Sequence, residues 1–155
     1  MRRWLVYGIA VLGVGLLRLF PFLPTDVAKL HPVEVLHLSE KDGKILLQTD
    51  TGQWGVGDTV ALALEDMKKT ALGTIFLDTA DYLLIQAGCE HLLEEMAPRL
   101  RPGCYVCVQT GPVDLKQVAS YLRTHIPNAT LHGWAIQIDP LPQLRCEEGR
   151  MELVP

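Results

Sequence analysis

Two Asp-Thr dipeptides are the residues of this sequence best suited to acid–base chemistry. They lie in Asp50-Thr51-Gly52 and in Asp78-Thr79-Ala80. An aspartic-protease mechanism needs two carboxylates that share one proton, each on a loop of a β-rich lobe. A helix-patterned segment separates the two dipeptides, and no symmetric second half is evident. Local turn chemistry, in which Asp50 bonds to nearby backbone, explains the first dipeptide more simply.

Cys104 and Cys107 have the spacing of a metal or redox pair. They fall in a predicted strand, where side chains alternate between the two faces, so we expect them to point in opposite directions. A zinc site also needs further ligands, and Cys89 and Cys146 stand alone. The four cysteines are therefore interpreted as structural, and a disulfide between some two of them stays open because sequence cannot pair them.

The remaining chemistry-bearing residues form no recognisable catalytic or ligand-binding pattern. No pair of histidines has metal-ligand spacing, no serine lies in a Gly-x-Ser-x-Gly motif, and the glycines near Trp54 lack the lysine of a phosphate-binding loop. The histidines are His31, His37, His91, His125 and His132. We therefore name no catalytic, cofactor-binding or metal-binding residue and expect no enzyme and no cofactor.

Trp54 is the large aromatic residue that lies in a glycine-rich segment, between Gly52 and Gly57. The glycines predict a loop, and an aromatic ring in a loop offers contact area to a partner at low entropic cost. A core position for the ring is the alternative. Asp78 and Asp81 lie in the break between two apolar strand patterns. We name Trp54, Asp78 and Asp81 as candidate partner-binding residues.

Elements that would position these residues can be predicted from apolar periodicity. Residues 33–40 and 44–51 are strand-like and flank Lys41-Asp42-Gly43, a strong hairpin signal. Three apolar stripes with helical spacing follow. They are Val60, Ala63, Leu64 and Met67; Cys89, Leu92, Leu93 and Met96; and Leu115, Val118, Ala119 and Leu122. Thr59 and Asp114 are the expected N-caps of the first and third helices.

Strand patterns lie between and after the predicted helices. Residues 74–77 and 82–85 form two short strands or one broken strand, and residues 104–109 form another. Residues 131–138 are predicted as a strand, and residues 144–154 as a terminal hairpin. The predicted fold is α+β: a mixed β-sheet with about three helices packed on one face, preceded by one N-terminal transmembrane helix.

The N-terminus carries an uncharged run from Trp4 to Leu17, behind Arg2 and Arg3. A signal-anchor helix is the favoured interpretation of residues 1–24, with the N-terminus in the cytoplasm and residues 25–155 forming an extracytoplasmic domain. A cleaved secretory signal, giving a secreted protein, and a buried core helix are the alternatives.

Charge is unevenly distributed along the chain. Three of the 14 basic residues precede the first acidic residue, Asp26, so the chain after Pro24 carries 11 basic and all 18 acidic residues, a net charge of −7. Such a domain repels nucleic acid, which excludes that class of partner. Hydrophobic residues make up 48% of the chain and charged residues 21%, which supports a packed core and argues against disorder.

Residues 42–122 resemble the N-terminal domain of the Ger(x)C family, the lipoprotein subunit of spore germinant receptors. The resemblance rests on the strand pair, on the segment from Thr59 to Met67, on the apolar strand, break and second strand of residues 73–85, and on residues 89–109. It implies a non-enzymatic module at a membrane surface in a spore-forming Firmicute. The chain lacks the family's lipid-bearing cysteine, since its first cysteine is Cys89.

Together these observations predict a membrane-anchored extracytoplasmic protein-interaction module with a membrane-protein partner. The anchor confines the domain near other membrane proteins, which raises their effective concentration. The alternative is a small membrane-tethered or secreted hydrolase that uses acidic residues such as Asp50, Asp78 or Asp81.

Overall fold

The computed structural model describes residues 30–71, 73–136, 141–147 and 149–155. Within them, seven strands form one mixed sheet in the order β4-β3-β2-β6-β7-β8-β9, and β1 pairs with β5 in a separate parallel ladder. The strands are β1 (Leu30–Pro32), β2 (Val35–Lys41), β3 (Lys44–Thr49), β4 (Trp54–Gly57), β5 (Thr74–Phe76), β6 (Tyr82–Gln86), β7 (Tyr105–Thr110), β8 (Gln143–Glu147) and β9 (Arg150–Val154).

The centre of the sheet is parallel and its margins are antiparallel. Strands β2, β6, β7 and β8 run in one direction, whereas β3, β4 and β9 join through antiparallel hairpins. Asp42 and Gly43 connect β2 to β3 with φ values of 54° and 72°, the conformation that a two-residue hairpin turn requires. The predicted hairpins at residues 41–43 and at the C-terminal end are confirmed.

Four α-helices lie within the described residues. They are α1 (Val60–Thr70), α2 (Leu93–Met96), α3 (Leu115–Leu122) and α4 (Leu131–Ala135). The predicted caps are confirmed, since the Thr59 side chain accepts from the Leu62 N–H and the Asp114 side chain accepts from the Lys116 N–H. Short 3-10 turns at residues 90–92 and 97–99 flank α2.

The two faces of the sheet carry different helices. The α1 face, named for its longest helix, buries Leu36, Leu38, Leu83 and Ile85 against α1 and α2, and Leu131 of α4 joins that cluster. The α3 face buries Val35, Leu84 and Cys107 against Val118 and Leu122 of α3. The expectation that helices cover one face is therefore wrong. Gly111, with φ of 83°, turns the chain after β7 toward the α3 face.

Two predicted elements differ in the structure. Residues 131–135 are not the predicted strand: α4 begins at Leu131, because the Thr130 hydroxyl caps it by accepting from the Gly133 N–H, and residues 137–138 of that prediction lie outside the described residues. The glycine-rich segment around Trp54 is a turn only at Gly52, and Trp54–Gly57 form strand β4 instead of the predicted loop. Its glycines serve close packing, since a Cβ at Gly55 or Gly57 would overlap the backbone of Ala63 in α1.

The predicted membrane segment, residues 1–24, lies outside the described residues. Within the described part of the chain, no helix combines the length and the apolar character needed to cross a membrane.

Candidate functional site

A row of polar side chains lies on the α3 face beyond the end of α3. Along β2, Val35 packs against α3, so the alternating residues His37 and Ser39 point to the same face farther along the strand. Gln48 on β3 lies directly opposite His37 and shares its face. Helix α3 covers the start of β2 at Val35 and leaves this face open from His37 onward.

The polar side chains line one cavity of about 490 Å³. We call it the polar groove. Its floor consists of side chains from four neighbouring strands, and its wall is the segment 111–113. The floor residues are His37, Ser39, Gln48, Gln86 and Gln109. A volume of this size lies within the range of about 300–1,000 Å³ that is typical of ligand pockets.

The topology of the sheet explains why a crevice opens at this position. The chain leaves β6 toward α2 on the α1 face, and it leaves β7 toward α3 on the opposite face. In sheets with parallel strands, ligand sites form outside the carboxyl ends of two strands whose connections diverge in this way. The residues that follow the two strands, Ala87 and Gly111, both line the polar groove.

His37 and Gln109 form the buried centre of the groove, with 7% and 3% of their surfaces exposed. The Gln109 amide nitrogen donates to the carbonyl oxygen of Gly111, and its Oε1 lies 3.0 Å from Nε2 of His37. An amide oxygen can only accept, so Nε2 of His37 carries the proton and Nδ1 is a bare acceptor. Gly111 thereby orients Gln109, and Gln109 fixes the tautomer of His37.

The imidazole of His37 is held in its neutral form. Burial lowers the pKa of His37 below its ordinary value of 6.5, and the amides of Gln109 and Gln48 oppose that shift. Nδ1 of His37 is buried and has no hydrogen-bond partner within the described residues. An unpartnered buried polar atom costs about 1–3 kcal/mol, which makes it a site where a ligand group would be stabilised.

Trp54 lies at the rim of the polar groove. It pairs with Gln48 across the β3–β4 ladder and therefore shares a face with His37, about 10 Å away at two strand spacings. Its side chain is 52% exposed and lines an adjoining cavity of about 520 Å³ that shares Gln48 and Val113 with the groove. Of the three predicted partner contacts, Trp54 lies beside the groove.

Asp78 and Asp81 lie elsewhere in the molecule. Asp78 is exposed in a 3-10 turn at residues 77–79, and Asp81 forms an ion pair with Arg101 just before β6. Both therefore flank the amino ends of the parallel strands, and β6 is three strands away from Trp54 on β4. The structure does not bring these acids together with Trp54.

Asp50 does not line the floor of the polar groove but binds nearby backbone. Its Oδ1 accepts from the backbone N–H groups of Glu34 and Val35, both at 3.2 Å, and so holds the start of β2. Asp81 also contacts Glu34, since its N–H donates to the carbonyl oxygen of that residue. The three acids of the hydrolase hypothesis therefore lie outside the polar groove.

The four cysteines are buried free thiols within the described structure. The prediction for the closely spaced pair is confirmed, because Cys104 packs on the α1 face and Cys107 on the α3 face. Burial raises the pKa of each of these two thiols to about 12, so both stay protonated and unreactive at neutral pH. In the described ranges, no group of His, Cys, Asp and Glu residues is arranged to hold a metal ion.

A larger cavity of about 760 Å³ lies beside the C-terminal hairpin. Its charged residues oppose one another in the β8–β9 register, Arg145 facing Glu152 and Glu147 facing Arg150. These residues are solvent-exposed and their charges balance. We place the candidate site in the polar groove instead, because a buried and oriented polar group, His37, lies at its centre.

Both margins of the sheet are closed by side chains from helices. At β4, the Val56 N–H donates to Oδ2 of Asp66 at 3.0 Å, and the Trp54 carbonyl oxygen accepts from the Thr70 hydroxyl at 3.2 Å. At β9, the Leu153 N–H donates to the Tyr121 hydroxyl oxygen at 3.2 Å. These contacts occupy backbone groups that an added strand would need.

Sequence reasoning missed His37, Gln48 and Gln109 as site residues. A usable signal was present, because His37 and Ser39 alternate with Leu36 and Leu38 along the strand. Gln109 likewise ends the apolar run Val106–Val108. Polar residues at alternate positions of a buried strand indicate an open stretch of one sheet face.

Comparison with protein-family models, with curated proteins and with solved structures gives no match to this chain. The resemblance to the germinant-receptor lipoproteins therefore stays a prediction.

Proposed function

We propose that the chain is a protein-interaction module, tethered to a membrane by residues 1–24, that holds its partner in the polar groove. The observation that carries the proposal is the groove itself, an uncharged polar opening with a buried and oriented imidazole at its centre. Trp54 at the rim supplies the exposed aromatic area that commonly anchors protein contacts.

The closed sheet margins favour binding on the face of the sheet. A partner that added a strand would have to displace Asp66 and Thr70 at β4, or Tyr121 at β9. The α1 face is filled by three helices. The open half of the α3 face is therefore the surface best suited to a partner.

Charge and tethering support a protein partner at a membrane surface, on the outer side if Arg2 and Arg3 direct the orientation. The net charge of −7 after Pro24 repels nucleic acid and anionic lipid headgroups. A role in spore germination follows only from the family resemblance and is proposed on that ground. No observation favours the hydrolase alternative, since Asp50 and Asp81 are engaged in structural contacts.

Site-specific photocrosslinking in cells that produce the full chain tests the groove as the partner site. A photoreactive residue at position 54 should give one discrete adduct. Position 62 is the matched control, because Leu62 is similarly exposed, at 47% against 52%, but lies on α1 at the other face.

Gln86→Trp, which fills the groove from an exposed position, should abolish the adduct. An equal adduct at position 62, or one that survives Gln86→Trp, contradicts the proposal.

Membrane tethering is tested separately by fractionation. The full chain should sediment with membranes and resist alkaline carbonate extraction. A shortened form recovered from the culture medium would instead indicate a cleaved signal.

A further inference from the structure

The polar groove has a distinctive chemical composition. Among the described residues that line it, every polar group is neutral: two hydroxyls, three carboxamides and the imidazole of His37. A charged group bound there would lose part of its hydration without meeting a countercharge, which is unfavourable. The groove therefore selects an uncharged ligand.

The carboxamides of Gln48 and Gln86 add a second restriction. Each offers both a donor and an acceptor, which complements other amide groups and, less completely, hydroxyls, whereas the Gln109 amide is already held by Gly111 and His37. Within the described residues, no phenyl, phenol or indole ring lines the groove itself, and the Trp54 indole lies outside it at the rim. A sugar ring over the floor would therefore find hydrogen bonds but no flat ring for stacking. These features favour a peptide segment over a saccharide.

The acceptor at Nδ1 of His37 adds a third restriction. Because Gln109 holds the proton on Nε2, Nδ1 can only accept, and it has no partner within the described residues. Gln48 lies directly opposite His37 on β3 and is half-buried beside it. An N–H or O–H donor that displaces the Gln48 side chain would satisfy Nδ1.

From these three restrictions we infer that the polar groove binds an extended, uncharged peptide segment of the partner, rich in Asn, Gln, Ser or Thr, one N–H or O–H of which donates to Nδ1 of His37. This inference rests on the proposed function, because it specifies the chemistry of the protein segment that occupies the same site.

Selection of short random peptides by phage display on the detergent-solubilised full chain tests the inference. The selected peptides should be enriched in Asn, Gln, Ser and Thr and depleted of Asp, Glu, Lys and Arg. His37→Gln keeps a donor toward Gln109, since the new amide nitrogen can occupy the place of Nε2, but lacks an acceptor at Nδ1. It should bind the selected peptides about tenfold more weakly.

A pair of glutamine variants keeps the test independent of the folding of His37→Gln. Gln86→Ala, at an exposed position in the groove, should weaken peptide binding. Gln143→Ala, at an exposed position on β8 outside the groove, should not. Three outcomes would overturn the inference. They are enrichment of charged residues in the selected peptides, equal peptide binding by Gln86→Ala and wild type, and displacement of the peptides by maltotetraose. If composition bias is absent while crosslinking at position 54 succeeds, the inference fails and the proposed function stands.

Discussion

Nε2 of His37 on β2 lies 3.0 Å from Oε1 of Gln109 on β7, although strand β6 separates the two strands. The two side chains reach across β6 on the α3 face and meet above it. A single buried hydrogen bond thereby links strands that share no ladder. It also fixes which nitrogen of His37 accepts, so the structural role and the proposed recognition role depend on the same pair.

Gln109→Ala should destabilise the fold by about 1–3 kcal/mol, because it leaves both nitrogens of His37 buried without a partner. Urea unfolding of the variant measures this change. Gln86→Ala is the matched control, since Gln86 lines the same groove on the next strand but is exposed, and it should change stability by no more than about 0.5 kcal/mol. Equal effects of the two substitutions would show that the His37–Gln109 bond contributes little.

The lowered pKa of His37 predicts a loss of stability in mild acid. As pH falls below the ordinary value of 6.5, the unfolded chain binds a proton at His37 while the folded chain does not. The free energy of unfolding should therefore decrease from about pH 7 downward, and this contribution should level off once pH is below the pKa of the folded protein. His37→Gln should lose this part of the pH dependence. If the free energy of unfolding changed with pH by the same amount in wild type and variant, the prediction would be contradicted.

Local signals account for the parts of the fold that sequence predicted. The Asp42-Gly43 turn, the Thr59 and Asp114 caps and the three apolar stripes each depend on residues close together in the chain. Local signals failed where one hydrogen bond or one close contact decides the conformation. The Thr130 cap starts helix α4 in a segment whose sequence pattern is typical of a strand. Close packing against α1 explains why β4 contains glycines.

The site could not be predicted because it depends on long-range strand pairing. His37 meets Gln109 only because β6 lies between their strands and because the registers β2–β6 and β6–β7 place the two residues at compatible heights. Neither register is encoded within a short window of sequence. The polar interruption at His37 and Ser39 could indicate an open sheet face, but not the partner of either residue.

Gly111→Ala should destabilise the protein by about 2 kcal/mol or more, because alanine disfavours a φ of 83° and its Cβ would overlap the carbonyl oxygen of Cys146. Gly103→Ala is the control, since that position has open space around it and should tolerate the methyl group. Thermal unfolding compares the two variants. The variant at position 111 should also broaden the His37 imidazole resonances, because Gly111 orients Gln109. Matching melting temperatures for the two variants would contradict this role.

Trp54→Ala should weaken partner capture while leaving the melting temperature nearly unchanged. The side chain is 52% exposed at the rim of the groove, so its removal costs contact area in the complex and little core packing. An aromatic anchor of this kind contributes about 2 kcal/mol, which corresponds to a roughly thirtyfold loss of affinity. The measurement is the yield of photocrosslinked adduct from position 112, an exposed position in the wall of the groove, in the Trp54→Ala background and in a Leu62→Ala background of similar exposure. A drop in stability of several kcal/mol would instead assign Trp54 to the core. An undiminished adduct with normal stability would remove Trp54 from the partner site and leave the floor of the groove as the contact surface.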